Sequence, residues 1–145
     1  MVGYMRTILL AVVLTLGAGA CSKSDKTAKA AATEKKSNVP LVTVDEVDQQ
    51  LAKGDCVPVD ANGQKTREKM GTLPGAVLLT DSEQYGVSEL PTDKSKTLVF
   101  YCANTQCGAS HEAAERAITA GYTSVKVMPD GIAGWVKAGK KVQTL

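Results

Sequence analysis

The sequence predicts an α/β domain, a parallel sheet with helices packed on both faces. Thr97-Leu98-Val99-Phe100-Tyr101 is an unbroken β-rich apolar run, the pattern of a strand buried on both sides of a parallel sheet. Shorter β-rich runs alternate along the chain with amphipathic stretches of helical period. The alternation occupies residues 39–145 of a 145-residue chain, enough for one ordinary domain and not two.

The elements follow in order. Thr43-Val44-Asp45-Glu46 has the form of a capping box, in which Thr43 accepts from the Glu46 amide and the Glu46 carboxylate reaches back. Val44, Val47 and Leu51 then recur at helical spacing, and Gly54 closes the helix. Cys56–Asp60 reads as a short strand carrying Pro58. Asn62-Gly63 marks a turn, and Thr66–Met70 a helix. Leu73-Pro74-Gly75-Ala76 turns the chain into a strand over Ala76–Leu79. Residues 80–96 are polar and irregular, with room for one helical turn. After the Thr97–Tyr101 strand, a helix over Ser110–Ala120 places Ala113, Ala114, Ala117 and Ile118 on one face, with Gly121 as its cap. Ser124–Met128 is the next strand, and Ile132–Ala138 a last short helix carrying Trp135, which is expected to pack in the core.

Composition narrows the function classes. Charged residues are 22% and apolar residues 43%, ordinary for a globular protein, and the net charge is +2 with no basic stripe. Nucleic acid is therefore not an expected partner. Aromatic residues are only 4%, so Val, Leu, Ile and Ala must fill the core.

The segment before the domain carries its own signals. Residues 1–20 read as a signal peptide: Arg6 precedes the apolar run Thr7–Ala20, which is too short to span a membrane and ends in small residues. Ala18-Gly19-Ala20-Cys21 resembles the bacterial lipobox, with Ala18 in place of the usual Leu. The resemblance implies lipidation of Cys21 and anchoring of the chain to a membrane through that lipid. Simple cleavage after Ala20 is the alternative. Ser22, rather than Asp, follows the cysteine, which in Gram-negative lipoproteins implies the periplasmic face of the outer membrane. Residues 21–38 are rich in Lys, Ala, Ser and Thr and lack large apolar side chains, so they are expected to form a flexible tether. Its coil span is about 20–25 Å.

Chemistry points to Cys102, which directly follows the strongest strand and precedes a helix by about eight residues. In open α/β sheets, ligands bind beyond the carboxyl ends of the strands. Loop amides and a helix N-terminus there favour an anion, hence a thiolate. By position alone, Cys102 reads equally well as a nucleophile or as a small buried apolar residue.

The domain resembles the rhodanese family over nearly all of residues 39–145. The residues that carry the resemblance are Asp60, Gly71-Thr72-Leu73-Pro74-Gly75-Ala76, Val99-Phe100-Tyr101-Cys102, Ala113-Ala114, Gly121-Tyr122, Val125 and Asp130-Gly131-Ile132-Ala133-Gly134-Trp135. The resemblance implies a central five-stranded parallel sheet with helices on both faces. It implies sulfurtransferase chemistry, in which Cys102 takes sulfane sulfur, becomes a persulfide and passes the sulfur on. Converging amides of Ala103, Asn104, Thr105, Gln106, Cys107 and Gly108 are the expected anion donors. The implied partners are a small sulfur-containing substrate or a thiol acceptor protein, with no cofactor and no metal.

The sequence also departs from the family pattern. Asn62 stands where the family often has Arg, and Thr72 where it often has His. The loop Ala103–Ser110 has no Arg or Lys and is about two residues longer than the common sulfurtransferase loop. A neutral loop attracts a dianion such as thiosulfate less strongly, which leaves the donor open. The related phosphatase loop has Cys, five residues and then Arg. Here that last position is Gly108, which excludes phosphatase and arsenate reductase chemistry.

The remaining cysteines leave alternatives open. Cys107 is either a redox partner of Cys102 or a loop-filling residue; a disulfide needs Cα atoms within about 7 Å. Cys56 is most simply a core residue, within possible reach of the loop. A metal site built from Cys56, Cys102, Cys107 and His111 is a minor alternative, and His111 alone is most simply a solvated residue. Arg67 and Lys69 either lend charge to the site or lie on a helix surface. A non-catalytic binding or thiol redox module using Cys102 and Cys107 is the alternative to sulfur transfer.

Overall fold

The structure, a computed structural model, describes residues 37–145. The expected signal peptide, Cys21 and all but the last two residues of the tether lie outside the described residues. Among the described residues no helix is long and apolar enough to cross a membrane.

Among the described residues the elements run α1 (Val44–Lys53), β1 (Val57–Asp60), α2 (Gln64–Met70), β2 (Val77–Leu78), β3 (Leu98–Tyr101), α3 (Ala109–Thr119), β4 (Val125–Val127) and α4 (Gly131–Lys137), with a 3-10 turn at Val87–Glu89 between β2 and β3. The strands form one parallel sheet in the order β2-β1-β3-β4. The sheet has four strands rather than the expected five. A fifth position is present only as a bridge between Leu41 and Val127. It is held by Val42 N donating to Val127 O and Val127 N donating to Pro40 O. It extends no further because the next donors of the ladder are lost: Pro129 has no N–H, and Val44 already belongs to α1.

Strand alternation divides the core between the two faces. Leu98, Phe100 and Cys102 point into one layer with Val59, Val127, Ala113, Ala114 and Ala117. Val99 and Tyr101 point into the other with Val47, Met128, Ile132 and Trp135. All four residues of β3 are buried, as an unbroken apolar run requires. Ile118 is not part of the buried stripe of α3 and is 45% exposed. At 3.6 residues per turn it lies about 90° from the centre of the stripe formed by Ser110, Ala113, Ala114 and Ala117. Trp135 is buried, and its indole Nε1 donates to Lys141 O at 2.8 Å.

The chain leaves β1 towards β2 on one side and leaves β3 towards β4 on the other. The switch in direction therefore falls between β1 and β3, where a crevice is expected beyond their carboxyl ends. Asp60 ends β1 and Cys102 follows β3, so both stand at that end of the sheet.

Candidate active site

A buried polar network lies at the carboxyl ends of β1 and β3. The Asp60 side chain is fully buried. Its Oδ2 accepts from the Tyr101 hydroxyl at 2.7 Å, and its Oδ1 accepts from the Asn62 amide at 2.7 Å. Arg67 Nε lies 3.4 Å from the same Oδ1. The Tyr101 hydroxyl in turn accepts from Leu73 N at 3.0 Å. Burial, and then the neighbouring Asp60 charge, push the Tyr101 phenol far above its ordinary range, so it stays a donor. Arg67 Nη2 donates to Asp60 O at 3.0 Å and Leu79 O at 2.9 Å, tying the end of β1 to the chain after β2. Arg67 is therefore a buried clamp, while Lys69 is exposed. Asn62 is buried, and its Nδ2 makes no hydrogen bond among the described residues.

Cys102 is 1% exposed and sits where β3 ends. The first turn of α4 fixes its backbone. Ile132 N donates to Cys102 O at 2.8 Å, and Ala133 N donates to Ala103 O at 3.0 Å. This approach needs glycine at 131. Gly131 has φ +62, and a Cβ there would stand 2.5 Å from Cys102 O and 2.7 Å from Ala103 C. The Asp130–Trp135 motif thus connects the core to Cys102, with Trp135 anchoring α4 and Gly131 letting it touch the loop.

The Cys102 sulfur is bonded to Cys107, with Cα atoms 6.3 Å apart. Ser110 Oγ lies 3.3 Å from Cys102 Sγ, and because a bonded or ionised sulfur carries no proton, the hydroxyl is then the donor. Cys107 O lies 3.1 Å from the same sulfur. Asn104 shapes the turn between the cysteines: its Oδ1 accepts from Gln106 N at 3.0 Å and its carbonyl accepts from Cys107 N at 3.1 Å. The six expected anion donors therefore divide. The amides of Gln106 and Cys107 are occupied by Asn104 in this state, because the turn that brings the cysteines together consumes them. The amides of Ala103, Asn104, Thr105 and Gly108 make no hydrogen bond among the described residues.

His111 stands on the first turn of α3, with a buried Nδ1 that makes no hydrogen bond among the described residues. Cys56 is a buried free thiol that precedes β1, at the opposite end of the sheet from Cys102, roughly 16 Å of strand away. Burial pushes the Cys56 thiol up to about 11, an effect that Lys126 partly offsets. The set Cys56, Cys102, Cys107 and His111 is thus not assembled, and among the described residues no cluster of His, Cys, Asp or Glu side chains could hold a metal ion. The buried clamp at Arg67 left no periodic signal in the sequence, since its partners come from β1 and from beyond β2.

Comparison with known proteins decides the family: the rhodanese-like domain matches residues 43–138. The chain belongs to the rhodanese-like domain family. Solved structures agree on the fold. A thiosulfate sulfurtransferase from Pseudomonas aeruginosa is 22% identical with a TM-score of 0.60, over 73% of this chain and 20% of that one. A human single-domain sulfurtransferase is 20% identical with a TM-score of 0.56, over 68% of this chain and 96% of that one. A Rhodopseudomonas palustris protein of unknown function, described as a possible tyrosine phosphatase, is 23% identical with a TM-score of 0.60, over 72% and 85%. No curated protein matches the sequence. This rhodanese-like domain thus shares its fold with sulfurtransferases.

Proposed function

We propose that this rhodanese-like protein is a sulfurtransferase in which Cys102 takes sulfane sulfur from a small donor, holds it as a persulfide and yields it to a nucleophilic acceptor. The observation that carries the reading is the seat of Cys102, at the carboxyl end of a central strand with its backbone gripped by α4 and its loop leading into α3. The amides of Ala103, Asn104, Thr105 and Gly108, which make no hydrogen bond among the described residues, are the donors assigned to an anionic sulfur in this reading. With no Arg or Lys between 103 and 110, the loop favours a monoanionic donor such as a thiosulfonate over dianionic thiosulfate. Gly108 stands at the position a phosphatase loop would fill with Arg, which argues against phosphate chemistry.

The test is thiocyanate formation from cyanide with benzenethiosulfonate or thiosulfate, run in a Cys107→Ser background so that no loop disulfide forms. Adding Cys102→Ser is expected to lower the rate by more than about a thousandfold. Undiminished activity in the double variant would overturn the reading.

The reading includes a location. Residues 1–20 direct export, Cys21 carries lipid, and the tether holds the domain at the periplasmic face of the outer membrane. Cys21→Ser should move the protein from the membrane fraction to the soluble one; an unchanged distribution would refute the anchor. The Cys102–Cys107 disulfide favours a second reading, that of a thiol redox module.

A further inference from the structure

We propose that Cys107 is a second catalytic nucleophile that discharges the Cys102 persulfide, so that the loop converts sulfane sulfur to sulfide and ends as the Cys102–Cys107 disulfide. This rests on the reading of Cys102 as the sulfur carrier and adds the fate of the sulfur.

Four features of the loop point the same way. The two sulfurs are within bonding reach, with Cα atoms 6.3 Å apart. Asn104 holds the turn that brings them together, using both its side chain and its carbonyl. No cationic side chain between 103 and 110 stabilises a lasting persulfide anion. The Cys107 carbonyl, 3.1 Å from Cys102 Sγ, turns its negative end towards the sulfur. The loop is thus better built to empty Cys102 than to store charge on it.

The steps balance. The Cys102 thiolate attacks the outer sulfur of a thiosulfonate or thiosulfate; the S–S bond of the donor breaks, sulfinate or sulfite leaves, and Cys102 becomes a persulfide anion. The Cys107 thiol loses its proton and attacks Cys102 Sγ; the Cys102–Cys107 bond forms, and the outer sulfur leaves as hydrosulfide carrying that proton. The two thiols are oxidised by two electrons and the sulfane sulfur is reduced by two. A further cycle needs an external dithiol. It attacks Cys107, the more exposed of the two sulfurs, and Cys102 leaves as a thiolate beside the Ser110 hydroxyl.

The experiment uses the reduced tether-plus-domain fragment 22–145, freed of reductant and mixed with benzenethiosulfonate. The donor itself releases sulfinate, so any sulfide comes from the second step. Wild type should release one equivalent of sulfide per chain, stop, and weigh two hydrogens less than the reduced protein; an added dithiol should restart it. Cys107→Ser and Cys107→Ala should release no sulfide and become one sulfur atom heavier. A wild type that keeps the added sulfur, or Cys107 variants that still release sulfide, would overturn the proposal while leaving Cys102 as the carrier. Cys107 variants that gain no sulfur would sink the carrier reading and this proposal together.

Discussion

Gly131→Ala would place a methyl group 2.5 Å from Cys102 O, 2.7 Å from Ala103 C and 2.8 Å from Ala103 O, at a backbone φ of +62. Holding a side chain in the left-handed region costs about 1–2 kcal/mol. Relieving the overlap adds about 1–3 kcal/mol, because backbone rather than a flexible side-chain end must move. The sum is roughly 2–5 kcal/mol, or about 8–20 °C in Tm for a domain of this size. Gly139 supplies the control. Its φ is +70, but a Cβ there would meet nothing within 4 Å, so Gly139→Ala carries the conformational cost alone. Thermal unfolding by circular dichroism should therefore rank Gly131→Ala well below Gly139→Ala. Any movement of α4 also loosens the bonds from Ile132 N and Ala133 N, so Gly131→Ala should slow sulfur uptake and Gly139→Ala should not. Equal Tm losses in the two variants would refute the claim that α4 grips Cys102 through this contact.

Two further outcomes follow from the buried groups. Tyr101→Phe strips Asp60 Oδ2 of its donor and Leu73 N of its acceptor, and should cost about 2–4 kcal/mol in urea unfolding; a change below about 0.5 kcal/mol would contradict the network. Cys56 should resist alkylation in the native protein at neutral pH, whereas Cys102 and Cys107 become reactive once reduced; rapid native labelling of Cys56 would contradict its burial. Its folded value lies above the ordinary thiol value of 9.0, so the neutral form favours folding. That contribution is complete below pH 9.0 and is lost as pH rises to about 11. Cys56→Ala should flatten that part of the stability curve, and an unchanged alkaline slope would argue against it.

Much of this architecture was legible in the chain. Thr43, Glu46 and Gly54 bracket α1 as local hydrogen bonding demands, and the apolar run before Cys102 is the strand buried on both faces. What escaped the sequence depends on contacts between distant segments. Nothing local shows that the chain before α1 pairs with β4 at one bridge, since the pairing ends where Pro129 on one segment and the start of α1 at Val44 on the other meet in space. Arg67 looked like one charge among several on a short polar helix, and its burial depends on carbonyls of Asp60 and Leu79. Ile118 fits a helical stripe by spacing but sits at its margin. At the site, the position of Cys102 was readable, whereas the sequence left Cys107 between partner and filler. The turn at Asn104 brings Cys107 over Cys102 and takes two of the six expected amides out of use.

The most direct test of Cys102 as the sulfur carrier is to locate the transferred atom. Reduced Cys107→Ser protein would be treated with benzenethiosulfonate, alkylated and cleaved, and the cysteine peptides weighed. The account predicts one added sulfur on the peptide holding Cys102 and none on the peptide holding Cys56. Sulfur on the Cys56 peptide, or on neither, would contradict it.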